Sequence, residues 1–226
     1  MSSVLRTEAA AAHPPLCTDL VPADRVSGRL REALAERAEI DDMSSAPRSL
    51  STAQITALRA MLGRILPAAG DYGMDLALRL DRMMDEQDGN GWRYEALPTD
   101  PEAYKAGLDT LDAIARASNG RRFADLSGEE QDGLLDAIQT TRLVAPAAAA
   151  QFDAEQMALW FEEVRSDAVR HYVAHPAIMA RIGYSGFANG GHAGEGFAGF
   201  REIGIDRRES WEPQPVGPSP AREAAR

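Results

Sequence analysis

His171 and His175 stand four residues apart near the end of a predicted helix, a spacing that places both imidazoles on one helix face. Two imidazoles arranged in this way are able to hold a metal ion together. The pair lacks the intervening glutamate of the metalloprotease motif, and none of the 4 histidines has a glutamate three residues before it, as helical di-iron sites require. Histidines near a helix C-terminus commonly complement the helix dipole, so we favour a helix-end role for both and keep a metal site as the weaker alternative.

Residues 194–199 have the sequence GEGFAG, which fits the GxGxxG fingerprint of dinucleotide-binding folds. In those folds the glycines close a turn between a strand and the N-terminus of a helix. Here no strand-forming run precedes the glycines and no helix-forming run follows them. We therefore interpret the match as accidental in a glycine-rich segment, and we predict no cofactor-binding residue in this chain.

Two pairs of carboxylates could in principle do acid–base chemistry: Asp81 with Asp85, and Glu162 with Glu163. On amphipathic helices such residues usually mark the solvated face, which is the interpretation we favour. Cys17 is the only cysteine, so the chain has neither an internal disulfide nor a cysteine-based metal site. It lies in a predicted unstructured leader and is not expected to act as a nucleophile. No catalytic residue is predicted.

The composition of the chain is that of an ordinary globular protein. Its 226 residues are 44% hydrophobic and 26% charged, which suits one compact domain with tails. Acidic residues outnumber basic ones 35 to 24, and the net charge of -11 makes nucleic acid an improbable partner. We find no secretory signal and no apolar stretch of the ~18 to 20 residues that a membrane span needs, so we expect a cytoplasmic protein.

Amphipathic helices dominate the sequence pattern. Apolar residues recur at intervals of three and four, and nothing alternates at period two for long enough to predict a strand. Two capping boxes, Ser51 with Gln54 and Ser127 with Glu130, mark helix starts. Six helices are predicted. The first covers residues 24–40, the second runs from Ser51 to residue 66, and the third begins after a cap at Asp71. The fourth begins at Asp100–Pro101, the fifth follows Ser127, and the sixth starts near Asp153. The fold class is therefore all-α, a compact domain of about six helices.

After Gly183 the sequence changes to glycine-spaced aromatic residues, which do not build a core by themselves. We interpret this segment as an extended arm whose aromatic side chains anchor in a partner, the alternative being a simple flexible tail. The predicted division is a flexible leader at 1–22, a helical domain at 23–183, and a docking arm and tail at 184–226. The predicted partner-binding residues are Tyr184, Phe187, Phe197, Phe200 and Trp211.

Three blocks in the same order resemble the gluconate 2-dehydrogenase subunit 3 family. Residues 50–58 (LSTAQITAL) and 64–67 (RILP) are similar to its opening helix and cap. Residues 108–112 (LDTLD), 120–127 (GRRFADLS) and Gln131 are similar to its central pattern. Residues 171–176 (HYVAHP) and 181–184 (RIGY) are similar to its closing elements. The resemblance covers about residues 48–212.

The resemblance implies a non-catalytic small subunit bound to a large flavoprotein of the glucose-methanol-choline class, which oxidises sugars, sugar acids or related alcohols. FAD and substrate would then lie in the large partner. Family members often carry a twin-arginine export signal, but the leader here has no paired arginines. We therefore expect a cytoplasmic complex, with export to the periplasm together with a partner as the alternative.

Two other functions stay open from the sequence. One is an enzyme whose metal is held by His171 and His175. The other is a helical regulator that binds a small ligand and is stable without a partner. The leading hypothesis remains an interaction subunit that stabilises or matures a flavin-dependent dehydrogenase.

Overall fold

The computed structural model describes residues 15–22, 26–66, 69–89, 91–142, 149–186, 202, 204–205 and 207–216. The chain divides into two compact units. The central unit is Ile40–Val173, and the terminal unit combines Met1–Glu39 with Ala174–Arg226. These boundaries differ from those predicted from sequence at 22/23 and 183/184. Phe187, Phe197, Phe200 and the GEGFAG segment lie outside the described residues.

The described residues form helices and no strands, which confirms the all-α prediction. The helices are α1 (Cys17–Leu20), α2 (Gly28–Arg37), α3 (Thr52–Ile65), α4 (Leu76–Asp85), α5 (Asp100–Asn119), α6 (Gly128–Gln139), α7 (Ala154–Val173) and α8 (Pro176–Ile182). Two short 3-10 turns, Ala69–Tyr72 and Phe123–Asp125, connect neighbouring helices. The short helices α1 and α8 were not predicted, since neither has enough residues for a periodic pattern.

Both predicted capping boxes are confirmed. The Ser51 hydroxyl accepts a hydrogen bond from the Gln54 amide at 3.3 Å, while the Ser51 amide donates to the Gln54 side chain at 2.9 Å. Ser127 and Glu130 exchange the equivalent bonds at the start of α6, at 3.3 and 2.8 Å. These reciprocal bonds satisfy backbone donors that the first helical turn leaves without a partner.

Two predicted helix starts are wrong. Helix α2 begins at Gly28 rather than at Asp24, because the Ser27 side chain accepts from the Leu30 amide and caps it there. The residue that caps α4 is Asp75, whose carboxylate accepts from the Leu78 amide. Asp71, the predicted cap, belongs to the 3-10 turn before it.

The core of the central unit lies between α3, α4, α5, α6 and α7. Its fully buried large side chains come from all of these helices, from the second 3-10 turn and from the segment before α4; they are Ile55, Leu58, Met61, Met74, Leu80, Tyr104, Leu108, Leu111, Phe123, Ile138 and Trp160. The indole of Trp160 on α7 lies directly against the backbone of Gly107 on α5. An added Cβ at Gly107 would lie 2.2 Å from Trp160 Cε2. The two long helices therefore pack through a glycine.

Asp81 ties the segment before α3 to α4. Its carboxylate accepts backbone hydrogen bonds from Arg48 at 2.6 Å, from Ser49 at 3.0 Å and from Leu50 at 2.7 Å. The residue is 2% exposed, so the prediction that it marks a solvated face is wrong. Asp85, one turn later, is exposed as predicted. Asp81 is a structural anchor because a buried carboxylate is stable only when its oxygens are hydrogen-bonded.

In the terminal unit, α1 and α2 pack against α8. Cys17 is fully buried in a small apolar cluster with Val21, Val26, Leu34 and Ala180, and Trp211 packs against that cluster. The prediction of an unstructured leader is therefore wrong for residues 17–20, and Trp211 has the intramolecular partners that the sequence did not reveal. Burial raises the pKa of the Cys17 thiol to about 11, so the thiol stays protonated and unreactive at neutral pH.

Gly107→Ala should destabilise the central unit, because the new methyl group has no space beside Trp160. We expect a loss of about 2 to 3 kcal/mol in the free energy of unfolding, as for overpacked cores, measured by chemical denaturation. Gly133→Ala is the matched control, since Gly133 lies within α6 with open space around its Cβ position. The control should gain up to about 1 kcal/mol from helix propensity. Equal stability of Gly107→Ala and wild type would contradict the close approach of the helices.

Candidate partner-binding surface

The structure separates His171 from His175. His171 lies in the last turn of α7, whereas His175 is the N-cap of α8, where its Nδ1 accepts from the Ala177 amide at 3.2 Å. Helix α7 ends at Val173, and Pro176, which has no amide hydrogen, opens α8 instead of continuing α7. The prediction that both imidazoles share one helix face is therefore wrong. Among the residues that the structure describes, no cluster of three or more possible metal ligands occurs.

The predicted docking-arm residues that the structure describes have different environments. Tyr184 is 42% exposed immediately after α8. Trp211 is partly buried and belongs to the packing of the terminal unit. Tyr184 is thus an exposed aromatic residue, as a docking residue would be, whereas Trp211 contributes to the packing of this chain.

An open cleft of about 430 Å³ lies at the end of α4, beside the loop that leads to α5. Its walls are the last turns of α4, the loop itself and the first turn of α5. The lining residues are Met83, Met84, Gln87, Gly89, Gly91, Trp92, Arg93, Thr99, Asp100 and Pro101. Gln87 and Gly91 have φ angles of 55° and 74°, which turn the chain sharply after the helix. The loop geometry thus leaves a depression in the surface of the central unit.

Trp92 is the most prominent apolar side chain of the cleft, with 58% of its surface exposed. Its ring packs edge-on against Tyr94, with centroids 4.7 Å apart and planes inclined by 71°. The Tyr94 hydroxyl lies close to the carboxylate of Glu162 on α7. Loss of solvation and this carboxylate raise the pKa of Tyr94. The aromatic pair is therefore held in place from two sides while the indole faces solvent.

A smaller pocket adjoins the cleft, and Arg93 and Asp100 line both. Its other polar side chains include Tyr104 from α5 and Asp167 from α7. The Tyr104 hydroxyl donates to Asp167 Oδ2 at 2.9 Å, and Arg170 lies 3.3 Å from Asp167 Oδ1. Burial raises the pKa of Tyr104. Burial also raises the pKa of Asp167, and this effect exceeds the lowering by Tyr104 and Arg170. Tyr104 is therefore a neutral hydrogen-bond donor at any ordinary pH.

Glu163 lines the same pocket without a comparable partner. Its Oε1 atom is buried and accepts no hydrogen bond from the part of the chain that the structure describes. Burial raises the pKa of Glu163, and the nearby carboxylates of Asp167, Asp100 and Glu162 raise it further. The nitrogen of the buried Trp160 indole, in the same pocket, likewise donates to none of the described residues. The pocket thus contains one hydrogen-bond acceptor and one donor that have no partner among the described residues.

Sequence reasoning missed this surface. It assigned no function to the glycine-rich turn at residues 88–91 (DGNG), and it treated Glu162 with Glu163 as residues of a solvated face. Glu162 is exposed as predicted, but Glu163 is partly buried beside Asp167. The available signal was Trp92 and Tyr94 placed next to a glycine-rich turn, outside any helical period, where aromatic residues have no predicted core to join.

The family described as gluconate 2-dehydrogenase subunit 3 matches residues 52–191. The chain belongs to this family. The matched region runs from the start of α3 through α8, so it contains the cleft and the pocket beside it. No curated protein matches the chain, and no solved structure does. None of the described helices is long and apolar enough to cross a membrane.

Glu163 should lower the stability of the isolated chain as pH rises. Its folded-state pKa is raised, so between the ordinary glutamate value of about 4.3 and the raised value the folded state binds more protons than the unfolded state. The stabilising effect of the protonated form is complete below the unfolded-state pKa. It is lost as the pH rises through the raised folded-state pKa. Glu163→Gln should therefore be at least as stable as wild type at pH 7, with a smaller advantage at pH 4.

Thermal melting at pH 4, 5, 6 and 7 measures this difference. Glu155→Gln is the control, because Glu155 is exposed in the first turn of the same helix. It should be slightly less stable than wild type at pH 7, opposite in sign to Glu163→Gln, since a carboxylate is favourable at a helix N-terminus. A variant Glu163→Gln that loses stability at pH 7 would show that the carboxylate has a stabilising partner.

Proposed function

We propose that this chain is a non-catalytic small subunit that stabilises or matures a flavin-dependent dehydrogenase acting on sugars, sugar acids or related alcohols. The observation that carries the proposal is family membership over residues 52–191, since the family is described as a subunit of gluconate 2-dehydrogenase. In this proposal FAD and the substrate are bound by the large partner. The role of this chain is to bind that partner and hold it in its folded, flavin-loaded state.

The α4–α5 cleft supports the proposal as a docking surface. Protein interfaces are enriched in tryptophan, tyrosine and arginine, and their strongest contacts are aromatic side chains that enter pockets. Trp92 is largely exposed in the isolated chain, and its position is fixed by Tyr94. A side chain held in this way loses little conformational entropy on binding. We propose the cleft as the principal contact, with Tyr184, Phe187, Phe197 and Phe200 as further contacts.

The metal-enzyme alternative was based on one helix face shared by His171 and His175, and α7 ends at Val173, before His175. The alternative of a small-ligand regulator would use the same cleft. It differs from the proposal in one testable respect, since a stand-alone regulator would leave the flavin content of a neighbouring dehydrogenase unchanged.

Co-purification of the tagged chain from its native host, followed by co-expression with the flavoprotein dehydrogenase recovered with it, tests the proposed function. The large subunit should bind FAD and remain soluble when this chain is present, and should lose both properties when it is absent. Flavin absorbance per polypeptide and dehydrogenase activity are the measurements. A stoichiometric flavin or dehydrogenase activity in the isolated chain would contradict the proposal, as would a large subunit that is equally flavin-loaded without it.

Trp92→Ala in the same co-expression tests the cleft. We expect about a 30-fold weaker complex, corresponding to the loss of about 2 kcal/mol at an aromatic anchor, with the melting temperature of the isolated chain nearly unchanged. Met43→Ala is the control, because Met43 is also exposed, to 50%, but lines a different depression of the central unit. Equal losses of affinity in both variants would remove the special role of the cleft.

A further inference from the structure

We propose that the acidic end of the α4–α5 cleft receives an arginine or lysine side chain of the partner polypeptide, with Glu163 as the principal acceptor. This inference rests on the proposed function and adds to it the chemistry of the contact. It follows from an imbalance of charge, an unsatisfied buried oxygen and an exposed aromatic side chain, all within one surface of the central unit.

The charges that the described residues place around the smaller pocket do not balance. Four carboxylates lie on or beside it, namely Asp100, Glu162, Glu163 and Asp167, and the arginines are Arg93 and Arg170. Arg170 pairs with Asp167, and Glu162 lies close to the Tyr94 hydroxyl. Arg93 borders both the pocket and the cleft. The causes of the raised pKa of Glu163 are burial and three other carboxylates, with no arginine among them.

A carboxylate that is partly removed from water among other carboxylates lowers stability, and such a group is normally paired or hydrogen-bonded. Within the described part of the chain, Glu163 Oε1 has neither. A side chain of the partner polypeptide would supply the donor that the described residues do not provide. A cationic side chain would form a charge-assisted hydrogen bond with Oε1 and would reduce the repulsion from Asp100 and Asp167 at the same time.

The space available fixes where the cationic group lies. The inner pocket has room for about one water molecule, so a guanidinium or ammonium group cannot enter it fully. The adjoining cleft is far larger, and Asp100 lines both. The cationic group thus lies at the rim, between Glu163 and Asp100.

Two further observations favour a side chain of a protein over a metal ion. The described residues provide no cluster of three metal ligands. The exposed indole of Trp92 also lies in the cleft, where it can stack on a guanidinium or cover the aliphatic part of a lysine. The net charge of -11 attracts a basic surface over longer distances and should speed its association.

The test compares three variants in complex with the co-expressed flavoprotein: Glu163→Gln, Glu163→Lys and the exposed control Glu155→Gln. Loss of one partner of a desolvated charge pair usually weakens binding by at least about 10-fold. We expect that loss for Glu163→Gln, a larger one for Glu163→Lys, and a change of less than about two-fold for the control. Affinity is measured by surface plasmon resonance at low and high salt. The dissociation constant should depend less on salt concentration in both Glu163 variants than in wild type.

A second measurement distinguishes docking from a structural role. The isolated Glu163→Gln chain should melt at or above the temperature of wild type, so stability and affinity change in opposite directions. Basic residues of the partner are replaced by glutamate one at a time. Binding of Glu163→Lys should be restored only when the replaced residue is the one that contacts residue 163. Restoration would support the inference, and a destabilised isolated Glu163→Gln chain would overturn it.

The outcome also separates this inference from the proposed function. If wild type binds the flavoprotein and both Glu163 variants bind equally well, the basic contact is wrong while the subunit role stands. If wild type binds no flavoprotein, the subunit role is wrong and the inference fails with it.

Discussion

The close approach of α5 and α7 through Gly107 determines the geometry of the whole surface. The Trp160 indole occupies the position that any side chain at residue 107 would need. This contact brings Tyr104 within hydrogen-bond distance of Asp167. It also places carboxylates of two helices around one small pocket. A wider separation of the helices would admit water between them, and the electrostatic properties on which the docking proposal depends would disappear.

The same packing creates an unfavourable electrostatic arrangement that association with a partner can relieve. Asp167 is stabilised in part by Tyr104 and Arg170, whereas Glu163 has a buried oxygen with no hydrogen-bond partner in the described residues. Proteins commonly accept such local costs at functional sites. In an isolated enzyme, a carboxylate with a raised pKa beside a pocket suggests acid–base chemistry. In a chain of a dehydrogenase-subunit family, we interpret the same feature as one half of an interface.

Much of the fold was predictable because its signals are local. The capping boxes at Ser51 and Ser127 fix two helix starts through bonds three residues apart, and two of the family blocks include these caps. The errors have non-local causes. Pro176 begins a new helix, so His175 does not lie on α7 with His171. The buried Asp81 is stabilised by amides more than 30 residues away in the sequence. The prediction also treated Cys17 as part of a leader, because its partner α8 lies near the other end of the sequence.

The most direct test of the account is hydrogen–deuterium exchange of the chain, free and in complex with the flavoprotein. If the cleft is the docking surface, the backbone amides of residues 91–97 and the first turn of α5 should exchange more slowly in the complex, and those of α6 should not change. A complex in which protection is confined to α6, with residues 91–97 exchanging as in the free chain, would contradict the central claim.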